Sequence, residues 1–96
     1  MSAYFIARVK ISDKEKYKQY IDAVPNVIDK FNGKAIVRTE QCLTLEGTEE
    51  NRRIIIIEFP SLEKAKKFYH SEEYQKIKKI REKAAIGEII VVESLL

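Results

Sequence analysis

Tryptophan is absent from this 96-residue chain, and cysteine, histidine and methionine occur once each. With Cys42 alone, no internal disulfide can form, which excludes a secreted disulfide scaffold and fits a reducing cytoplasm. A metal site needs a cluster of ligands. One histidine, one cysteine and scattered carboxylates are a poor set, so neither metal nor cofactor is expected. Three glycines leave no room for a Gly-rich phosphate loop, and HExxH, paired CxxC and GxSxG are also missing. Nucleotide binding, zinc hydrolysis and serine-hydrolase chemistry therefore lack support. No apolar run approaches the ~18 residues of a membrane-crossing helix, and Met1–Lys10 lacks the basic-then-apolar order of a secretion signal. The expectation is a cytoplasmic protein with no membrane partner.

What is present is an ordinary globular composition, 45% hydrophobic and 34% charged, in one domain over residues 1–96. The 18 Lys and Arg against 15 Asp and Glu give a mild excess of +3. Ala3–Ile11 alternates, with Ala3, Phe5, Ala7, Val9 and Ile11 on one face, which is a strand with one greasy side. Ser12 and Asp13 can cap a following helix, whose apolar stripe runs Tyr17, Tyr20, Ile21, Val24, Val27, Ile28 and Phe31. Pro25 should bend that helix, and Asn32-Gly33 suits a left-handed end. Lys34–Glu46 reads as a long second strand with a bulge near Thr39–Gln41. Arg52–Phe59 then reads as a central strand buried on both faces through Ile54 to Ile57, with Arg52, Arg53, Glu58 and Pro60 flanking it as brakes on aggregation. Ser61 caps a helix and Ser71 restarts it, Gly87 ends it, and Glu88–Glu93 is the last strand.

The order β-α-β-β-α-β is that of an α+β, ferredoxin-like sandwich: a four-stranded antiparallel sheet with its helices on one face. The other face should be polar, yet the last two strands are apolar on both sides. An uncovered apolar face of this kind points to a homodimer closed sheet against sheet, a dimeric α/β barrel.

The run IIIIEFPSLEKAKKFYHSEEYQKIKKIREKAA resembles the central signature of the domain-of-unknown-function family 1330, of the dimeric α/β-barrel superfamily. AYFIARVKISDKEKYKQY and NVIDKFNGKAIVR are similar to that family's opening and second strand. The resemblance implies fold and dimerisation, and no activity. Phe68, His70 and Thr39-Glu40 depart from the family's usual residues, which bears on any shared ligand.

Among candidates for chemistry, Arg38 lies in an apolar stretch, where a guanidinium needs a carboxylate or an anionic ligand. Glu58 is a plausible partner across a hairpin; the functional alternative is a pocket where Arg38 fixes a carboxylate or enolate. Tyr69 and Tyr74 lie on the inward side of their helices with Tyr17 and Tyr20, and Arg81 shares the stripe of Tyr74. His70 is the one side chain that titrates near neutrality and, by analogy with the superfamily's cofactor-free oxygenases and isomerases, a candidate base. Against that, nothing in the sequence supplies it with a nucleophile or an orienting group, as expected of an exposed loop histidine. Cys42 reads as a small buried hydrophobe. The Lys-rich helices are interleaved with glutamates, and the third strand lacks stacking aromatics, so nucleic acid is not an expected partner. The residues thus point to a small-molecule-binding domain acting on a small carbonyl or aromatic compound, with or without cofactor-independent catalysis. The alternative is a non-catalytic binding or structural homodimer.

Overall fold

Strand β1 (Ala3–Ile11) buries every second side chain: Ala3, Phe5, Ala7 and Val9 are closed off from solvent. In the computed structural model, which describes residues 1–96, this strand is central to a four-stranded antiparallel sheet. The order is β2 (Lys34–Thr39), β3 (Arg53–Phe59), β1 and β4 (Ala85–Glu93). Helices α1 (Lys14–Lys30), α2 (Leu62–His70) and α3 (Glu72–Ala84) complete the βαββαβ plan of the ferredoxin-like fold. The second helical layer is two helices because Ser71 both ends and begins one. Its hydroxyl donates to the Phe68 carbonyl at 2.8 Å and accepts from the Tyr74 N–H at 3.1 Å.

Capping elsewhere follows the same chemistry. Asp13 accepts from the Lys16 N–H and Ser61 from the Lys64 N–H, both at 3.1 Å. At the end of α1, Asn32 takes the left-handed conformation (φ 61°), and the Gly33 N–H reaches back to the Ile28 carbonyl at 2.9 Å. Gly33 serves a different need from the one its sequence position suggests. A β-carbon there would lie 2.7 Å from the Phe59 ring. Helix α1 continues unbroken through Pro25.

Four sequence expectations are corrected. The second strand stops at Thr39 rather than Glu46, and residues 40–52 form an irregular connection in which Cys42 is exposed, not buried. Its bulge lies between Ala35 and Val37 rather than near Thr39–Gln41. That extra residue, Ile36, keeps both Ala35 and Arg38 on the helix-facing side of the sheet. Finally, Gly87 does not end α3; the helix stops at Ala84 and Gly87 lies within β4, opposite Val9.

The core sits between sheet and helices and is strongly aromatic. Phe68 packs against Phe59 and Tyr74 with ring centroids 5.1 and 4.6 Å away. On the other side of the sheet, Val37, Ile56, Ile6 and Ile90 stand side by side across all four strands. Arg8 and Glu88 flank that apolar row at one end, Tyr4 and Glu58 at the other.

Candidate functional site

Helix α1 rests mainly on α3 and stands off the sheet. Beneath it Ala7, on the central strand, offers too little side chain to fill the gap. The result is a cavity of about 240 Å³ between α1 and the sheet, toward the small end for ligand sites, which typically measure ~300–1,000 Å³. Its walls are mostly apolar, from Phe5, Val9, Ile21, Val24, Ile28 and Ile57.

The polar groups on this lining are strongly biased in sign: Arg38, Arg53, Arg81 and Lys34 against the single carboxylate of Asp29. Arg38, Lys34 and Asp29 are exposed and mark the mouth. Arg53 is half-buried, its guanidinium carbon 6.0 Å from the centre of the Tyr17 ring. Arg81 is only 7% exposed. No carboxylate lies within ion-pair distance of any of the three arginines, and the Nε atoms of Arg53 and Arg81 are buried without a hydrogen-bond partner. Buried donors left unpaired are costly.

Three tyrosines close the far side. The Tyr20 and Tyr74 hydroxyls are hydrogen-bonded to each other at 2.9 Å. Burial pushes the phenols of Tyr17, Tyr20 and Tyr74 upward, further from ionisation. They are therefore neutral hydrogen-bonding groups at ordinary pH and cannot act as tyrosinate bases.

The sequence candidates divide accordingly. Arg38, Tyr74 and Arg81 share the cavity. Tyr69 and His70 lie instead, with Arg81 again, along a more open groove of about 350 Å³ between α2 and β4. Glu58 lines neither. It stands opposite Lys34 and Tyr4, in the phase of the far face of the sheet, whereas Arg38 stands opposite Ile55 in the helix-facing phase. The cross-strand Arg38–Glu58 pair is not formed, because the two belong to different faces. Arg53 is the residue that sequence reasoning passed over: it shares the period-two phase of Ile55, Ile57 and Phe59, which places it inward. No group of three or more His, Cys, Asp or Glu side chains is placed to hold a metal ion, and no helix is long and apolar enough to cross a membrane.

With the fold and the cavity defined, comparison with known proteins becomes informative. The domain of unknown function DUF1330 matches residues 2–95. The chain belongs to that family. No curated protein matches its sequence. Among solved structures, it is similar to a protein of unknown function from Rhodopseudomonas palustris, with 19% identity, TM-score 0.80, and coverage of 99% of this chain and 83% of that one. It is also similar to SnoaB, a cofactor-independent oxygenase from Streptomyces nogalater, at 9% identity and TM-score 0.71 over 99% and 94% of the two chains. A third is a dimeric protein of unknown function with a ferredoxin-like fold from Bacteroides fragilis, at 15% identity and TM-score 0.57 over 97% and 96%. At these identities the likeness is one of fold.

Proposed function

We propose that this DUF1330 protein is a cytoplasmic small-molecule-binding homodimer whose pocket, between α1 and the sheet, takes a small carbonyl or aromatic compound in anionic form. The observation that carries the reading is the apolar cavity ringed by Arg38, Arg53 and Arg81 with no carboxylate to pair them. Guanidiniums bind carboxylates and enolates with forked hydrogen bonds, and apolar walls strengthen that interaction by excluding water.

Catalysis in this pocket would draw mainly on the substrate's own acidity, since the one carboxylate on its lining, Asp29, lies at the exposed mouth. His70 lies along the other groove, and the cavity tyrosines are held neutral. A compound that enters as its own enolate or phenolate already carries the electron density that reaction with oxygen requires. Arginines and phenol donors would stabilise that anion in place. The fold likeness to a cofactor-independent oxygenase is in keeping with this chemistry, as analogy. Binding without turnover is equally in keeping with a cavity whose one carboxylate, Asp29, lies at the exposed mouth.

The dimer reading is supported by the row Val37–Ile56–Ile6–Ile90, an apolar belt on a face no helix covers. A second copy offers the same belt, and the Bacteroides fragilis neighbour is dimeric. Native mass spectrometry of freshly purified protein tests both halves. The expected species is twice 11.2 kDa, and a bound organic acid would add a few hundred daltons per chain that are lost on denaturation. A monomer at micromolar concentration would remove the dimer reading. Failure to take up any added small organic acid would remove the pocket.

A further inference from the structure

Three guanidiniums surround the cavity, and they are not equivalent. Arg38 is exposed and solvated at the mouth, and Arg53 leans on the Tyr17 ring. Arg81 alone is more than nine-tenths buried, with its Nε lacking any partner. It also stands where the two concavities meet: it lines both the cavity under α1 and the groove between α2 and β4, which share Phe5 and Ile89 as well. Neither Tyr69 nor His70, its neighbours along the groove, can neutralise a cation. The place where a ligand's negative charge is most needed is therefore Arg81.

Gly87 explains how the guanidinium reaches that place. A β-carbon on Gly87 would lie 2.8 Å from Arg81 Nη1, closer than such atoms approach, and at an ordinary contact distance of 3.5 Å from Val9. The glycine's φ is not left-handed, so the backbone does not demand it. The missing side chain leaves room for the guanidinium, whose end would have to shift if a methyl were added there.

We propose that Arg81 is the seat for the ligand's acid group, with Gly87 as its positioning residue. The pocket then selects a flat organic acid, an aromatic carboxylate or a stabilised enolate, over the neutral compound of the same shape. This rests on the pocket reading above and assigns its charge recognition to one side chain. The flat body would lie in the slot between α1 and the Ala7 floor, edged by Tyr17, Tyr20 and Phe5.

The test is a pair of probes of nearly equal shape, 2-naphthoate and 2-naphthamide, titrated calorimetrically into wild type, Arg81→Met and Gly87→Ala. Charge-assisted hydrogen bonds to a buried guanidinium predict that wild type prefers the acid by ~10–100-fold. Arg81→Met, which keeps chain length and apolar volume, should lose the preference and bind acid and amide alike. Gly87→Ala should weaken the acid several-fold and leave the amide unchanged. An Arg81→Met protein that folds and still prefers the acid overturns the assignment to Arg81 and leaves the pocket standing. Wild type that binds neither probe overturns the pocket reading, and this inference with it.

Discussion

The phenolic oxygens of Tyr20 on α1 and Tyr74 on α3 lie 2.9 Å apart, joining segments 54 residues distant in sequence. With the Lys30–Glu73 ion pair, this bond ties α1 to α3 by side chains while α1 stands clear of the sheet. It holds open the roof of the cavity. Replacing either tyrosine by Phe strands the other hydroxyl and should cost about 1 kcal/mol, or roughly 4–8 °C in melting temperature for a domain of this size. The Tyr20→Phe/Tyr74→Phe double variant should lose less than the sum, since no unpaired hydroxyl remains. Calorimetric melts of the four proteins check this.

Arg81 makes the opposite prediction for stability. A buried guanidinium without a partner is a burden on the ligand-free protein, and an apolar side chain of similar length relieves it. Arg81→Met should therefore raise the urea midpoint, by about 1 kcal/mol or more in unfolding free energy. A residue that weakens the empty fold and strengthens binding is what a site, rather than a core, would contain.

Gly33→Ala should be strongly unfavourable for a steric reason. The added methyl would meet the Phe59 ring at 2.7 Å and Ile28 Cγ2 at 2.8 Å, both in the core. Overpacking of this kind costs about 1–3 kcal/mol. Urea titration of the variant gives the number directly.

The acid limit of stability involves Arg52, whose Nε and Nη2 donate to the two Glu50 oxygens at 2.8 Å and whose Nη1 reaches Glu88. Hydrogen bonding to Arg52 draws the Glu50 carboxyl from its ordinary 4.5 down to about 2 and lowers Glu88 too. A carboxyl depressed in the folded state stabilises the fold above its unfolded value, and that contribution is lost as pH falls from 4.5 through 2. The melting-temperature gap between wild type and Arg52→Ala should be constant above about pH 5 and close toward about pH 2. A gap that persists in acid would mean that the arginine's stem, not its charge, is what matters.

On the far face of the sheet, Ile56 stands between Val37 and Ile6 in the belt that a second copy would cover. Ile56→Lys would bury a cation in that interface, at a cost of several kcal/mol, and leaves the helix-facing core untouched. Analytical ultracentrifugation should show wild type as a dimer and the variant as a folded monomer.

The fold was largely legible because it is written in periodicities. Alternation in Ala3–Ile11, the Asp13, Ser61 and Ser71 caps, and the doubly apolar Ile54–Ile57 run each specify one local structure, and the topology follows. The second strand resisted because a bulge breaks period two, and the bulge at Ile36 decides which way Arg38 faces. The site was legible only in part. The reasoning applied to Arg38, that a guanidinium among apolar residues needs an anion, bears more directly on Arg81, the arginine that is buried. Arg38 is exposed, whereas Arg81, on the helical stripe of Tyr74, is buried; the stripe indicated the inward direction but not how deep the side chain would lie. Arg53 was hidden by its neighbour Arg52: two adjacent arginines look like one charged flank, but alternation sends them to opposite faces. Glu58 was separated from Arg38 for the same reason.

The central claim is that the space between α1 and the sheet receives a small organic anion. Amide NMR spectra recorded while 2-naphthoate is added test it most directly. Saturable shifts are expected at Tyr17, Ile21 and Val24 of α1 and at Ile89 of β4, with Lys10 and Glu93 undisturbed. Shifts confined to residues outside the cavity lining, or none at millimolar probe, would contradict it.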